Sequence, residues 1–351
     1  MKIAIIGGGA SGLMLGVLLK KLNIEFDIFN YGKVGRKILA SGNGRCNIGN
    51  TNIDKKYYHN NELLSKLLVN KDKVYDLFKE LNIYTKEDIE GRLYPISESS
   101  LSVLNILLKN INKNIIDLLV TNIDIKNNLY YVNNYGPYDK LVISTGSNAS
   151  FKNLLSYDYL NKFNLKFNEF KPSLVGFKVK ENIKMISGVR SKCNVSLYNN
   201  DKLVHKEKGE IIFKDDGISG ICVMNLSSYY QHLNNPKCKI IIDLLDNKNY
   251  NTLESVINPK LLDYINKYNL DPNKIILNIK STYDFEFAQV CKGGIDISSI
   301  NDNLTLKSDR NVYVMGEVID IDGICGGYNL FFAWLCSITV YEDLKNEVSN
   351  K

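Results

Sequence analysis

The sequence predicts an α/β fold in which one Rossmann-type domain, built from both ends of the chain, is interrupted by an inserted β-rich domain with a small helical part. Two observations carry this prediction. The chain opens with a strand, a glycine turn, a helix and a strand, and it closes with another strand, turn and helix. The middle instead alternates apolar and polar residues as a sheet does. The predicted domains are 1–170 and 286–351 for the first domain and 171–285 for the insert.

The first element is an apolar strand at Ile3–Ile6 that runs into a glycine turn. Three glycines follow it in G-x-G-x-x-G spacing: Gly7, Gly9 and Gly12. In a dinucleotide-binding turn, the first glycine allows the tight turn, the second admits a pyrophosphate and the third lets helix and strand pack closely. The helix beginning at Ala10 and Ser11 would direct its free N–H groups at the phosphates. Glycine triplets also occur in ordinary loops, but the flanking strand and helix favour a dinucleotide site.

The same segment could be mistaken for a secretory signal peptide, because Lys2 is followed by seventeen uncharged residues. Five of those residues are glycines, and Lys20 and Lys21 stand where a small-residue cleavage site should lie. The segment is also too short and too rich in glycine to span a bilayer. We therefore expect a soluble, cytoplasmic protein with no membrane partner.

Composition narrows the classes of ligand. The 44 basic and 38 acidic residues give a net charge of +6 with no long Lys/Arg block. This charge distribution does not indicate a nucleic-acid-binding surface, although a mild positive charge suits an anionic cofactor. The expected partner is a small-molecule substrate. The seven cysteines form no C-x-x-C pair and the three histidines lack metal-ligand spacing, so we expect a reducing compartment and no metal site.

The remaining elements follow from periodicity. The second strand lies at Ile24–Asn30, and the loop at 31–50 is too rich in glycine for regular structure. Helices are then predicted at Glu62–Val69 and at Lys71–Leu81, and a third helix has Leu101, Leu104, Leu108 and Ile111 on one face. Strands are predicted at Ile115–Val120, Leu129–Val132 and Leu141–Ser144. The insert is predicted to hold strands at Val175–Val179, Cys193–Tyr198, Ile211–Phe213 and Lys239–Leu244 and a helix around Leu253–Asn269. The chain closes with a strand at Asn311–Met315 and a helix from Gly327 past Tyr341.

Six segments resemble, in the same order, those of one known family: GGGASGLM, GRKILASGNGRCNIGN, GRLYPIS, GISG, AQVCKGGID and GEVIDIDGICGGYNL. The chain resembles bacterial FAD-dependent oxidoreductases of the aminoacetone-oxidase type, or bile-acid-dehydrogenase-like (BaiN-type) flavoproteins, over almost its whole length. The resemblance implies an FAD/NAD(P)-binding Rossmann domain and a flavin-dependent oxidoreductase that passes electrons through flavin N5 to oxygen or to a small organic acceptor such as an enone. Because no second G-x-G-x-x-G motif is present, NAD(P)H would bind only transiently.

The end of the second strand would contact the FAD nucleotide. Asn30 stands where Asp or Glu usually binds the adenosine ribose, and an amide bonds a hydroxyl more weakly than a carboxylate does. Arg36 and Lys37 follow in the next loop, where they could pair with the pyrophosphate. A solvated surface pair is the alternative, and the resemblance favours the cofactor.

The resemblance also places a short loop against the flavin ring. Its members are Ser41, Gly42, Asn43, Arg45, Cys46 and Asn47. A redox role for Cys46 would need a second cysteine about five residues further on, which the sequence lacks, so a buried structural thiol is favoured.

Two further turns complete the predicted cofactor site. Thr145 and Gly146 form the strand-to-turn pair that is typical of flavin domains. Near the C-terminus, Gly316 and Glu317 end a strand, and the carboxylate could accept a hydrogen bond from a ribityl hydroxyl or serve only as a loop or helix cap. A helix then opens at Gly326, Gly327, Tyr328 and Asn329, where N–H donors could stabilise charge on reduced flavin. Phe331, Phe332 and Trp334 are expected in the core.

One departure from the family leaves the catalytic residues unassigned. The segment Phe213–Gly220 lacks the Thr and His that usually precede the family's Gly-x-Ser-Gly. If the family's His serves in proton transfer, this protein must use another group or have lost the activity. Two alternatives therefore stand beside the oxidoreductase. One is an FAD-binding tRNA-modification-type protein, which needs a concentrated basic face. The other is a flavoprotein in which FAD is mainly structural.

Overall fold

The computed structural model describes residues 1–234, 236–246 and 248–350 and divides into two compact units. The first unit comprises Met1–Ser147, Leu155–Glu169 and the chain from Gly293 onward. The second comprises Asn148–Leu154 and Phe170–Lys292, so it continues seven residues beyond the predicted boundary at 285.

Helices and strands are mixed in the first part of the chain, whereas the middle of the chain consists mostly of strands. The helices are α1 (Ala10–Lys21), α2 (Arg36–Ala40), α3 (Glu62–Leu67), α4 (Lys71–Glu80), α5 (Ser100–Leu108), α6 (Ile221–Gln231), α7 (Pro259–Lys267) and α8 (Tyr328–Ser349). The strands are β1 (Lys2–Ile6), β2 (Glu25–Asn30), β3 (Gly49–Asn50), β4 (Thr85–Glu87), β5 (Arg92–Pro95), β6 (Ile115–Asp117), β7 (Ile123–Lys126), β8 (Leu129–Val132), β9 (Tyr135–Tyr138), β10 (Lys140–Ile143), β11 (Phe167–Ser173), β12 (Phe177–Val179), β13 (Arg190–Asn199), β14 (Lys202–Phe213), β15 (Gly217–Ser219), β16 (Cys238–Asp243), β17 (Ile275–Thr282), β18 (Val290–Ile295) and β19 (Val312–Val314).

A five-stranded, wholly parallel sheet forms the centre of the first unit. Its strand order is β19-β10-β1-β2-β6. Numbered along the chain, this is the 3-2-1-4-5 order of a doubly wound sheet, and the direction of winding reverses beside β1. Ile6, the last residue of β1, pairs with Ile143 of β10 on one side and with Phe29 of β2 on the other. Ligands bind such sheets at the carboxyl ends of the strands next to this reversal.

Helix α8 anchors the C-terminus in the core of the first unit. Phe331, Phe332 and Trp334 are fully buried, as the sequence predicts. The Trp334 indole N–H donates to the carbonyl of Ile48 (2.9 Å), and the Ser337 hydroxyl donates to the carbonyl of Ser11 in α1 (2.9 Å). Within the described part of the chain, no helix combines the length and the apolar character needed to cross a lipid bilayer.

The second unit is built around a closed antiparallel barrel with the strand order β12-β15-β14-β13-β16-β17. Alternate residues point inward and form an apolar core, among them Phe177, Val195, Leu197, Ile211, Ile240 and Leu277. Closure pairs every strand with two neighbours and leaves no open sheet edge. The structure thus confirms the predicted α/β fold with a β-rich, partly helical insert.

Two helices differ from the sequence prediction. The loop at 31–50 contains α2, because Gly35 takes a left-handed conformation (φ 64°) that starts a helical turn and Ile38 is buried beneath it. The segment 221–231 forms α6, a helix that the sheet-like pattern around it concealed. Short apolar runs are ambiguous between strand and helix, which explains this error.

Candidate functional site

The glycine turn has the geometry that its spacing predicts. Gly7 has φ 112°, and a Cβ there would collide with the carbonyl oxygen of Ser144. A Cβ on Gly12 would collide with the carbonyl oxygen of Gly7, so this glycine lets α1 approach the turn. Gly9 differs, because among the described residues no atom apart from those of its chain neighbours lies within 4 Å of the position that its Cβ would take. The turn is therefore packed at its first and third glycines and open at its second.

Helix α1 begins directly at this opening. Gly9 precedes its first residue, Ala10, and no side chain caps the helix there. The first N–H groups of a helix have no partner within the helix, so the amides of Ala10 and Ser11 lie where an anion would be favoured.

A second turn borders the glycine turn at the carboxyl end of β10. The Ser144 hydroxyl donates to the carbonyl of Gly7 (3.0 Å) and links the two turns. Gly146 follows with φ 70°, and no atom lies within 4 Å of where its Cβ would be. Its carbonyl accepts a hydrogen bond from the Tyr157 hydroxyl (3.2 Å). Thr145, between Ser144 and Gly146 in the chain, is half-buried.

Asn30, at the end of β2, forms hydrogen bonds within the protein through both the oxygen and the nitrogen of its amide. Its Oδ1 accepts from the N–H of Gly8 (3.1 Å), and its Nδ2 donates to the carbonyl of Gly32 (2.8 Å). Asp117 is its register partner on β6, and this carboxylate accepts from the N–H of Gly32 (3.3 Å). The end of β2 therefore presents an amide that is already engaged next to an exposed carboxylate.

Helix α2 brings basic side chains to the glycine turn. The N–H of Gly35 donates to the carbonyl of Gly8 (2.9 Å) and fixes the start of the helix there. Arg36 is half-buried, and this burial lowers its pKa from the ordinary value. Lys37 Nζ lies 3.7 Å from the carboxylate of Glu317, which also accepts from the Ser147 hydroxyl (2.7 Å).

The turn at Gly316 lies against α1. Gly316 has φ 69°, and a Cβ there would lie 2.8 Å from the hydroxyl oxygen of Ser11. A glycine is needed for this approach, and it brings Glu317 beside Lys37. The glycine turn, α2 and the Gly316 turn, far apart in sequence, therefore meet at one place in the first unit.

The loop from Ser41 to Asn47 is tightly wound. Gly42, Asn43 and Cys46 all have positive φ, and the carbonyl of Ser41 accepts from the N–H of Cys46 (3.0 Å). The Arg45 guanidinium lies 4.6 Å from the centre of the Tyr94 ring. The Cys46 side chain is fully buried, and burial raises its pKa to about 12. A protonated, buried thiol favours the structural role over a redox role.

Asn47 joins this loop to the start of α8. In the amide orientation that satisfies both groups, its oxygen accepts from the N–H of Gly327 (3.0 Å) and its nitrogen donates to the carbonyl of Gly49 (2.9 Å). Gly327 has φ 93°, and a Cβ there would collide with the carbonyl of Gly49. One predicted N–H donor at the helix start is therefore already used within the protein.

The other residues at the start of α8 hold the turn together. Tyr328 is buried and stacks on Tyr57, with ring centres 4.7 Å apart. The Asn329 amide both accepts from the N–H of Gly323 and donates to its carbonyl (2.8 Å each). The carbonyl of Gly326 accepts from the Asn50 side chain (3.0 Å). These contacts shape the turn, and direct contact of these side chains with a cofactor stays a prediction.

A histidine that sequence reasoning missed lies beside this turn. The N–H of His59 donates to the carbonyl of Asp322 (2.8 Å), and a His59 ring nitrogen and an Asp322 carboxylate oxygen lie within 4.8 Å of each other. Asp322 is buried, and His59 is half-buried. Nothing in the sequence around His59 marks it, because its partner is 263 residues away. Asp117 carried no such signal either, because the strand predicted at Ile115–Val120 runs past it, whereas β6 ends at Asp117.

The parallel sheet, its winding reversal and the open glycine turn at that reversal define a Rossmann-type nucleotide-binding protein. More narrowly, the chain belongs to the HI0933-like protein Rossmann domain family, whose model matches residues 1–342.

The chain is similar to two curated proteins over almost the full length of each. It is 26% identical to a 3-dehydro-bile acid delta(4,6)-reductase of Clostridium scindens, over 95% of this chain and 96% of that protein. It is 27% identical to a ribosomal RNA dihydrouridine synthase of Haemophilus influenzae, over 94% of this chain and 95% of that protein. Among solved structures, the open conformation of a flavocytochrome c3 fumarate reductase superposes with a TM-score of 0.48 at 12% identity, covering 97% of this chain and 78% of that one.

Proposed function

We propose that this protein is an FAD-dependent oxidoreductase that reduces a carbon–carbon double bond conjugated to a carbonyl group. The observation that carries the proposal is the open glycine turn at the winding reversal of the parallel sheet. A Cβ on Gly9 would fill the space that a pyrophosphate must enter, whereas Gly7 and Gly12 are closed by the protein itself. The residues at this turn therefore fit a dinucleotide.

The residues around the turn divide the work of holding FAD. The N–H groups of Ala10 and Ser11 and the guanidinium of Arg36 would hold the pyrophosphate. Glu317, oriented by Ser147 and Lys37, would accept a hydrogen bond from a hydroxyl of the ribityl chain. Bound FAD supplies the two-electron chemistry, and a transiently bound NAD(P)H would be the source of electrons.

The class of acceptor follows from the names of the two relatives. A bile acid delta(4,6)-reductase and a dihydrouridine synthase both saturate a carbon–carbon bond that is conjugated to a carbonyl. The shared chemistry favours an enone or an enone-like ring as the acceptor. A small molecule is our first candidate, because the net charge of +6 is modest and two lysines of the barrel strands are paired with acids, Lys208 with Asp246 and Lys239 with Asp201.

RNA is the second candidate acceptor. It rests on the similarity to the ribosomal RNA dihydrouridine synthase over nearly the whole chain. Reduction of the uracil ring is the same bond chemistry on a larger substrate.

His59 is our candidate for the group that delivers a proton to the carbon next to the one that accepts the hydride. Saturating a double bond requires one hydride and one proton, and the family's usual histidine is missing from Phe213–Gly220. The neighbouring Asp322 carboxylate would stabilise the charged ring, as a buried carboxylate does in other acid–base pairs.

The test is an anaerobic absorption experiment on the purified protein after incubation with FAD. We expect a bound flavin spectrum that bleaches on adding NADH or NADPH and recovers on adding a steroid 4-en-3-one. Recovery with uridine-containing ribosomal RNA instead would select the second candidate. A protein that cannot be loaded with FAD would refute the proposal, and a bound flavin that NAD(P)H cannot reduce would favour a structural cofactor.

The same assay tests His59. We expect His59→Gln to slow reoxidation by the acceptor while leaving FAD affinity and the bleaching step unchanged. The matched control is His205→Gln, because His205 stacks on Tyr229 in the second unit. Equal reoxidation rates in all three proteins would remove His59 from the mechanism.

A further inference from the structure

The strand that should bind the adenosine ribose ends in a residue whose side chain is already hydrogen-bonded within the protein. In Rossmann-type sites, an acidic side chain at the end of the second strand accepts hydrogen bonds from the ribose hydroxyls. Here that residue is Asn30, and its oxygen already accepts from Gly8 while its nitrogen donates to Gly32. The oxygen keeps one further lone pair, so the amide offers the two ribose hydroxyls at most one acceptor, and that acceptor is weaker than a carboxylate.

Asp117 is the acid in the right place. It ends β6, the next strand of the sheet, and pairs in register with Asn30, so both side chains leave the sheet at the same carboxyl edge. One oxygen, Oδ1, accepts from the N–H of Gly32 at 3.3 Å, the same loop residue that binds Asn30. The side chain is exposed, so its carboxylate remains accessible to a ligand.

We propose that Asp117 replaces the missing acid of β2 and binds the adenosine ribose hydroxyls of the cofactor. The carboxylate that accepts from the ribose then lies on β6, one strand outward from β2, and Asn30 instead holds the glycine turn through Gly8. A carboxylate binds a hydroxyl more strongly than an amide does, because the hydrogen bond is charge-assisted. It would also repel a 2′-phosphate, so the site would select adenosine with a free 2′-hydroxyl. This inference rests on the proposed FAD site.

The experiment measures binding rather than turnover. Full-length protein and its Asp117→Ala and Asp117→Asn variants are titrated with FAD, followed by flavin fluorescence. We expect the dissociation constant to rise about tenfold or more in Asp117→Ala, as for loss of a hydrogen bond to a charged acceptor. The control is Asp302→Asn, an exposed acid of the same unit whose ion pair with Lys66 is loose (3.9 Å), and it should bind FAD as the parent does.

A second measurement separates ribose binding from a purely structural role. ADP and 2′,3′-dideoxy-ADP are compared as competitors of FAD in each protein. If Asp117 binds the ribose, the parent prefers ADP and Asp117→Ala loses that preference. If Asp117 only holds the Gly32 loop, both competitors weaken equally in Asp117→Ala and the preference persists, which would overturn the inference. A parent protein that binds no FAD would instead overturn the proposed function.

Discussion

At the scale of single residues, the three glycines of the turn do different jobs although the motif presents them alike. Gly7 and Gly12 are required by the fold, because a Cβ on either would collide with backbone. Gly9 has φ −84° and open space around it, so the fold itself would accept a side chain there. A ligand that must approach this backbone closely would explain a glycine at that position.

This difference gives a paired prediction. Gly9→Val should lower the free energy of unfolding by less than about 1 kcal/mol, because valine is a poorer N-cap than glycine. It should weaken FAD binding about tenfold or more, because its side chain would keep the pyrophosphate from the backbone N–H groups. Gly12→Ala should instead lower the free energy of unfolding by roughly 1–3 kcal/mol even without FAD, because it overpacks a closed contact. Urea denaturation and flavin fluorescence measure the two quantities. Unweakened FAD binding by Gly9→Val would contradict our placement of the pyrophosphate.

The sequence could predict the glycine turn because its residues are contiguous and each has a local cause. It could not predict that Asn30 would brace Gly8 or that Asp117 would stand beside it, because those relations depend on strand order. The pairing of His59 with Asp322 is beyond sequence reasoning for the same reason.

At the scale of elements, the loop at 41–50 and the start of α8 form one joined structure. Asn47 satisfies the N–H of Gly327, and the Trp334 indole bonds the carbonyl of Ile48. Both contacts use backbone groups that would otherwise be buried without partners. The loop therefore positions the helix that carries the C-terminal motif.

We expect Asn47→Ala to lower the free energy of unfolding by about 1–3 kcal/mol, because it leaves the Gly327 N–H and the Gly49 carbonyl unsatisfied. Asn47→Asp keeps the acceptor but loses the donor, so its effect should be intermediate. Urea denaturation without cofactor is the measurement, with the exposed Asn52→Ala as control. Equal stability of Asn47→Ala and the control would show that the hydrogen bonds of Asn47 do not stabilise the fold.

The elements that were predicted well have strong periodicity. The helix predicted over Lys71–Leu81 is observed at Lys71–Glu80, and the strand predicted over Leu129–Val132 has the same bounds in the structure. The helix predicted from Leu253 starts only at Pro259, where proline fits the first turn and Asn258 caps it. Helix α6 was missed because its apolar residues continue a pattern of strands.

At the scale of the whole molecule, the two units differ in how the chain builds them. The second unit is almost continuous and holds a closed barrel with its own apolar core. We expect residues 170–292 alone to fold cooperatively, with a far-ultraviolet circular dichroism spectrum of β-structure, because a closed barrel needs no partner strand.

Neighbouring residues on opposite faces of β13 supply the control for this fragment. Val195→Asp should abolish cooperative thermal unfolding, because it places a charge in the barrel core, whereas Ser196→Asp should not. A fragment that shows no cooperative transition would mean that the barrel depends on the rest of the chain.

The first unit cannot form until α8 has been synthesised. Its sheet needs β19, and the packing of α1 needs α8, which ends at Ser349. During translation α1 therefore leaves the ribosome more than 300 residues before α8, and the barrel strands are synthesised between them. A chain that stops short of α8 would keep an apolar α1 surface uncovered, so a truncated protein should be a target for chaperones and proteases rather than a partly active enzyme.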